Sequence, residues 1–231
     1  LRANALWLDM NSCAPGTKQM ASGPVGAAGA TYVDVAVMAP ITPRGHETPM
    51  LAAAEDTEMV AARLQVAGLA PRFVGTEIGR ASTIKMLRSV MVKGMEALTV
   101  ECFRAAARAG VAEEVANSLD ASEGGLGWAE QTAYNMERMT AHGIRRAAEM
   151  REVAKTLRGL DVAPVMTTGT ISWEEEMGAL GLSLDSGTPL AEQLTLIERA
   201  LEKGEWTEDT ERRQAHENLS SRWRRLWQKA P

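Results

Sequence analysis

A lysine lies near the start of a long predicted helix. Lys85 falls within the segment Gly79–Ser89, in the first turns of that helix, where the helix dipole disfavours positive charge and is expected to lower the pKa of a lysine. A lysine with a lowered pKa can accept and return a proton, so Lys85 is the predicted proton-transfer residue. Arg88 and Ser89 lie along the same stripe of the helix. The alternative is that this stripe is only a solvated helix face.

Polar side chains follow the first predicted strand. Asn11 and Ser12 come shortly after strand residues 5–8 and just before a helix that is predicted to begin near Pro15. Ligands of open α/β sheets bind beyond the carboxyl ends of the strands, so both residues are candidates for contact with a cofactor or substrate. The alternative is that the Ser12 hydroxyl only caps the helix.

The second predicted strand ends in small residues. The segment Asp34–Pro40 runs from this strand into a loop, and small residues at such a place leave room for a ligand to approach the backbone. The alternative is an ordinary strand exit.

Strand and helix patterns alternate over the first third of the chain. Strands are predicted at residues 5–8, 32–37, 50–53 and 72–74, and helices at 15–29 and 56–68. This alternation predicts crossover units and a mainly parallel sheet.

The rest of the chain is predicted to be helical. Apolar residues at spacings of three and four indicate one long amphipathic helix from about Ala81 to Ala109. The apolar set comprises Ile84, Leu87, Met91, Met95, Leu98 and Cys102. Further helices are predicted at residues 112–119, 128–157, 172–179, 189–203 and 208–228.

Composition narrows the possible partners. The net charge of −5 over 231 residues provides no basic field for nucleic acid. No apolar run reaches the roughly 20 residues that cross a bilayer. Cys13 and Cys102 are far apart, so a disulfide framework is not predicted and a reducing cytoplasm fits best. The three histidines stand apart from one another and from any cysteine pair, so no metal site is predicted; they are His46, His142 and His216.

The segment Ile84–Gly94, continued by Glu101-Cys102 and later by Arg145–Met150, resembles a known family. It is similar to the phosphogluconate dehydrogenase-like, NAD-binding C-terminal domain family of the β-hydroxyacid dehydrogenase superfamily. The resemblance extends from about Ala5 to Leu182. It implies an α/β plus all-α architecture: a partial Rossmann-like parallel sheet (residues 1–78), a helical dehydrogenase C-terminal domain for substrate and dimerisation (79–182) and a helical extension (183–231).

The resemblance also implies residue roles. Lys85 would be the catalytic lysine, and Ser89 stands where the superfamily usually has asparagine. Met38, Ala39 and Pro40 occupy the place of a Ser-Gly-Gly substrate loop. Asn11 and Ser12 would lie on the cofactor side. A separate hypothesis, based on the position of Arg88 on the same helix as Lys85, is that Arg88 helps to hold an anionic substrate group.

The implied activity is hydride transfer between NAD or NADP and a small anionic hydroxy acid, in a homodimer whose long helices pair. A complete member begins with a Gly-x-Gly-x-x-Gly turn that binds the pyrophosphate. This turn is absent from the 231 residues, which begin at Leu1, so the chain is expected to be a fragment. Two alternatives remain open: a non-catalytic helical dimerisation or scaffold module, and an imine reductase-like enzyme, in which the lysine is often replaced.

Overall fold

A computed structural model describes residues 1–122, 127–185 and 187–203. The helix predicted at 208–228 lies outside these residues. Within them, no helix combines the length and the apolar character needed to cross a membrane.

The amino-terminal part is a four-stranded sheet with two helices. The strands are β1 (Leu6–Asp9), β2 (Thr31–Val37), β3 (Met50–Ala53) and β4 (Arg72–Phe73), and they lie in sequence order in the sheet. Helix α1 (Pro15–Ala27) joins β1 to β2, and α2 (Thr57–Val66) joins β3 to β4. These elements confirm the strand and helix pattern predicted for this region.

The sheet is mixed rather than mainly parallel. β1 is parallel to β2 and β3 is parallel to β4, whereas β3 is antiparallel to β2. A parallel return needs a crossover, usually a helix, that carries the chain back along the strand. Residues 38–49 contain only the short 3-10 helix Gly45–Glu47, so the chain reverses direction there instead.

Five helices make up the rest of the described chain. They are α3 (Arg80–Ala109), α4 (Ala112–Ser122), α5 (Trp128–Gly159), α6 (Val165–Ala179) and α7 (Leu190–Lys203). The long helices predicted after residue 80 are confirmed, so the fold is a short sheet followed by a long helical region.

The apolar set predicted along α3 is on its exposed side. Met91 is 66% exposed and Leu98 is 52% exposed, and the other four members are exposed as well. The buried side of α3 carries mostly small and polar residues, among them Ala81, Ser82, Ser89, Lys93, Glu96 and Thr99. Periodicity therefore located the helix, but it did not show which face the rest of this chain covers.

Helices α5 and α6 cross at two glycines. A Cβ atom on Gly143 would lie 2.1 Å from the backbone oxygen of Glu174 and 2.8 Å from the backbone nitrogen of Gly178. Only the absence of side chains at both positions allows the two backbones to approach so closely. The crossing places α6 beside the residues that follow Gly143 on α5.

Helix α7 shares a hydrophobic core with the preceding helices. Leu194 and Ile197 of α7 belong to the same buried cluster as Val100 and Phe103 of α3 and Met136 of α5. The domain limits at residues 78 and 182 stay predictions.

Candidate active site

The lysine of α3 meets the loop that follows β1. The Lys85 Nζ atom donates a hydrogen bond to Ser12 Oγ over 2.6 Å, so two residues singled out from the sequence lie in contact. Ser12 is not the cap of α1, because the capping position is Ala14 and no side chain caps this helix. The alternative assignment of the Ser12 hydroxyl as a helix cap is therefore wrong, and this hydroxyl accepts the hydrogen bond from Lys85 instead.

The environment of Lys85 favours its neutral form. Burial lowers the pKa of Lys85 below its usual value, while the carboxylate of Glu149 opposes this shift. The positive charges of Lys93, Lys18 and Arg145 lower the pKa further. The direction agrees with the expectation from the sequence, and the principal cause is desolvation by burial.

A buried ion cluster lies beneath this contact. Lys18 of α1 is fully buried, and its Nζ atom lies 3.0 Å from Asp9 Oδ1 and 3.7 Å from Asp34 Oδ1. It also donates to the Asp9 carbonyl oxygen over 2.5 Å. The Tyr32 hydroxyl donates to Asp9 Oδ2 over 2.5 Å, and the backbone N–H of Asn11 donates to Asp9 Oδ1 over 3.0 Å.

The cluster keeps Asp9 ionised. Burial alone would raise the pKa of Asp9, but the hydrogen bonds from Tyr32 and Asn11 and the charge of Lys18 outweigh burial and lower the pKa to about 2. Burial, together with the hydrogen bond to Asp9, raises the pKa of Tyr32 far above its usual value. The phenol therefore stays protonated and donates to the carboxylate.

Helix α5 forms another wall of the site. Glu149 Oε2 lies 2.6 Å from Lys93 Nζ, and Arg145 pairs with the same carboxylate. Burial would raise the pKa of Glu149, but Lys93 and Arg145 lower it. One turn further along α5, Glu152 Oε2 accepts a hydrogen bond from the backbone N–H of Ala14 over 2.9 Å, which ties α5 to the loop that carries Ser12.

Several of these residues received no role from the sequence. The sequence offers only one sign that Lys18 is buried with a partner: it is a lone cation within a helix of small and apolar residues. The spacing of Arg145 and Glu149, four residues apart, is typical of an ion pair on one helix, but it does not show that Lys93 and Lys85 lie opposite. Asp9 and Asp34 lie in or at the end of predicted strands, but the partners Lys18, Tyr32 and Ser82 come from other elements.

The other predicted site residues are placed as follows. Asn11 is exposed and its side-chain N–H donates to Asp9 Oδ1 over 2.8 Å. The Ser89 hydroxyl donates to the carbonyl oxygen of Lys85 over 2.9 Å, within the helix. Arg88 is exposed. The structure does not test the roles proposed for these residues.

The predicted substrate loop lies beside the start of α3. Met38 borders a cavity of about 430 Å³ together with Ile84, the neighbour of Lys85 in sequence. Ala39 is half-buried and Pro40 is exposed. No hydrogen bond between described residues joins Met38, Ala39 or Pro40 to the Lys85 side chain, so their part in substrate binding stays a prediction.

Comparison with known proteins relates the chain to proteins without an assigned function. Residues 106–177 match the family described as a domain of unknown function, DUF1932. This segment includes Gly143 of the glycine crossing but neither Gly178 nor Lys85. An uncharacterized 28.5 kDa protein of Methanothermus fervidus is 29% identical over 103 residues, which are 45% of this chain and 41% of that protein.

Solved structures show the same fold. A conserved hypothetical protein of Sinorhizobium meliloti is 33% identical with a TM-score of 0.73, and the match covers 85% of this chain and 66% of that one. A conserved protein described as structurally similar to 3-hydroxyacid dehydrogenases is also 33% identical, with a TM-score of 0.64, and the match covers 75% of this chain and 66% of that one.

A dehydrogenase of assigned activity is also similar in fold. The 3-hydroxyisobutyrate dehydrogenase of Salmonella typhimurium is 16% identical with a TM-score of 0.57, over 86% of this chain and 70% of that one. The chain therefore contains a DUF1932 segment and has a hydroxyacid dehydrogenase-like fold. It spans about two thirds or less of the length of the conserved proteins that it resembles at 29–33% identity.

Proposed function

We propose that the intact protein is an NAD(P)-dependent oxidoreductase of the β-hydroxyacid dehydrogenase type, with Lys85 as its proton-transfer residue. The observation that carries this proposal is the half-buried amine of Lys85, held 2.6 Å from Ser12 beyond the carboxyl end of β1. Ligands of open α/β sheets bind at this end of the strands. A lysine with a lowered pKa at this place is suited to exchange a proton with a substrate hydroxyl.

The chain's own residues would move the proton. In the oxidative direction, neutral Lys85 accepts the proton of the substrate hydroxyl, and in the reductive direction protonated Lys85 returns it. Ser12 orients the amine through its hydroxyl oxygen. Glu149 is already paired with Lys93 and Arg145, so its carboxylate favours the protonated amine less than an unpaired carboxylate would.

The residues present fit one end of a dinucleotide. Exposed Asn11 and half-buried Ser12 follow β1 beside Lys85, which is a suitable place for a nicotinamide. When bound, NAD or NADP would accept or donate the hydride. The Gly-x-Gly-x-x-Gly turn is not among the 231 residues, so the proposed cofactor contacts of this chain are limited to the nicotinamide end.

We propose a small anionic hydroxy acid as the substrate. Arg88 is exposed on the same helix as Lys85 and forms no ion pair with any other described residue, so its guanidinium can bind a carboxylate or phosphate. Met38, Ala39, Pro40 and Ser89 are the further proposed substrate contacts. An Arg88→Ala variant with unchanged substrate affinity would remove Arg88 from this set.

The full-length protein provides the test of the enzyme proposal. NADH and NADPH are titrated by fluorescence, and turnover of small hydroxy acids is then measured for the wild type and for Lys85→Ala. We expect unchanged cofactor affinity and a rate lower by about 10²–10⁴-fold, the usual contribution of a general base. The control is Arg158→Ala, which removes an exposed cation near the end of α5. Turnover that survives Lys85→Ala would exclude the assigned role.

A second copy of the chain is the proposed partner of the exposed apolar side of α3. This side bears Ile84, Leu87, Met91, Met95 and Leu98. The five side chains are 37–66% exposed, and a contiguous exposed apolar patch of this kind is typical of a protein–protein interaction site. Light scattering of Met91→Glu tests this surface, with Met20→Glu on α1 as an equally exposed control. A monomeric wild type would contradict the proposal.

The same surface supports a second candidate function, a helical scaffold that assembles without catalysis. Failure of the full-length protein to bind either NADH or NADPH, with dimerisation intact, would favour this candidate. An imine reductase-like activity is the remaining alternative, and the presence of Lys85 favours a hydroxyl substrate over an imine.

A further inference from the structure

The amino-terminal turn of α3 is held by a residue from the sheet. Asp34 of β2 is fully buried, and its Oδ2 atom accepts hydrogen bonds from the backbone N–H groups of Gly79 and Ser82, each over 3.1 Å. Its Oδ1 atom accepts from the Ser82 hydroxyl over 2.6 Å. The capping position itself is Gly79, which has no side chain to cap with. Asp34 therefore supplies the cap from another element.

The loop that carries Ser12 is held by a similar carboxylate. Asp9 accepts hydrogen bonds from the backbone and the side chain of Asn11, the neighbour of Ser12. Lys18 lies between the two carboxylates, 3.0 Å from Asp9 and 3.7 Å from Asp34. One buried ammonium thus ties together the supports of both partners in the Lys85–Ser12 contact.

We propose that Asp34 is a positioning residue, which fixes the first turn of α3 and thereby holds Lys85 against Ser12. The functional meaning of this inference rests on the role proposed for Lys85, but the geometry is independent of that role. Lys85 follows Ser82 by three residues, about 4.5 Å along the helix axis. A first turn that loses its cap therefore frays directly beneath Lys85.

A variant that lacks the Asp34 carboxylate distinguishes an effect of charge on the pKa of Lys85 from an effect of the position of α3. The charged groups around Lys85 are Glu149 and Arg145 of α5, Lys93 of α3 and Lys18 of α1. Asp34 is not among them, so removal of its negative charge would, by charge alone, leave the pKa of Lys85 unchanged or lower it. Release of α3 would instead expose the amine to water, remove the desolvation that lowers its pKa and raise the pKa towards the ordinary lysine value.

The experiment is a pH titration of the chain labelled with ¹³C-lysine. The chain contains six lysines, and a Lys85→Arg variant assigns the signal of interest. In Asp34→Asn we expect the pKa of Lys85 to rise, and amide exchange at Gly79 and Ser82 to accelerate about tenfold or more, since these donors lose a charged acceptor. A pKa that stays constant or falls, with unchanged exchange, would overturn the proposal.

Two further variants make the result specific. Asp56→Asn removes the carboxylate that caps α2 through Met59, so it controls for the general loss of a helix cap and should leave the pKa of Lys85 unchanged. Ser82→Ala keeps the carboxylate and removes one donor. We expect Ser82→Ala to raise the pKa of Lys85 by a smaller amount, and it decides the question if Asp34→Asn does not fold.

Failure of this inference is distinguishable from failure of the proposed activity. If Lys85 has an ordinary pKa in the wild type, its proposed proton-transfer role is excluded. Amide exchange at Gly79 and Ser82 still tests whether Asp34 fixes the first turn of α3. If the wild-type pKa of Lys85 is lowered and Asp34→Asn changes neither this pKa nor the amide exchange, the positioning role of Asp34 is excluded. The proposed role of Lys85 then stands.

Discussion

Replacement of Gly143 by alanine should weaken the crossing of α5 and α6 and lower the stability of the whole helical region. The added Cβ would lie 2.1 Å from the Glu174 oxygen and 2.8 Å from the Gly178 nitrogen. Both atoms belong to helix backbone, which cannot rotate away as a side chain can, so the helices must separate. Overpacking of this kind costs about 3 kcal/mol at the upper end of its usual range.

Helix propensity offsets part of this cost. Alanine is favoured over glycine within a helix by about 1 kcal/mol, so the net loss in the free energy of unfolding should be about 2 kcal/mol. Gly169→Ala on α6 is the matched control, because a Cβ there has no neighbour within 4 Å, and it should gain up to about 1 kcal/mol.

Urea denaturation and thermal unfolding measure the difference between the two variants. A gap of about 3 kcal/mol corresponds to roughly 6–12 °C in Tm for a chain of this size. Equal free energies of unfolding for Gly143→Ala and Gly169→Ala would contradict the close approach of the α5 and α6 backbones at Gly143.

Three further predictions concern buried groups. The pKa of Asp9, about 2 in the folded chain against 3.8 ordinarily, gives stability that is present above pH 3.8 and lost as the pH falls towards 2; acid denaturation curves should lose this component in Asp9→Asn. Arg146→Met leaves the fully buried carboxylate of Glu174 without its ion-pair partner and should cost about 3–5 kcal/mol by urea denaturation, so a loss below about 1 kcal/mol would contradict the pairing. Ile197→Ala should cost about 2–5 kcal/mol because α7 lies in the core, whereas Val66→Ala, 92% exposed in the wild type, should cost less than about 0.5 kcal/mol.

Buried charge links α3, α5 and α6 beyond the proposed active site. Arg146 of α5 pairs with Glu96 of α3 and, over 3.0 Å, with Glu174 of α6. Burial raises the pKa of Glu174, although Arg146 opposes the shift. Because an unpaired buried charge is costly, this cluster favours one relative arrangement of the three helices. The glycine crossing at Gly143 lies one turn from Arg146 and brings Glu174 within reach.

Local sequence patterns were sufficient to locate the described strands and helices. The spacing of apolar residues located α3, and Asp56 marked the start of α2 because a cap and the backbone donor it serves are neighbours in sequence. Lys85 became a candidate because its place near a helix start is a local property, and its role stays a prediction. The position of Ser12 after β1 was equally readable, although its role as a cap was not correct.

Only the tertiary structure decided which groups meet. Ser12 and Lys85 are 73 positions apart, and Asp34 and Ser82 are 48 apart, so the distances between them depend on how the strands and helices pack. The same is true of the exposed face of α3, since periodicity gives the direction of an apolar stripe and not the identity of the surface that covers it. The sequence determined the elements because local interactions along the chain specify them, while long-range packing determined the site.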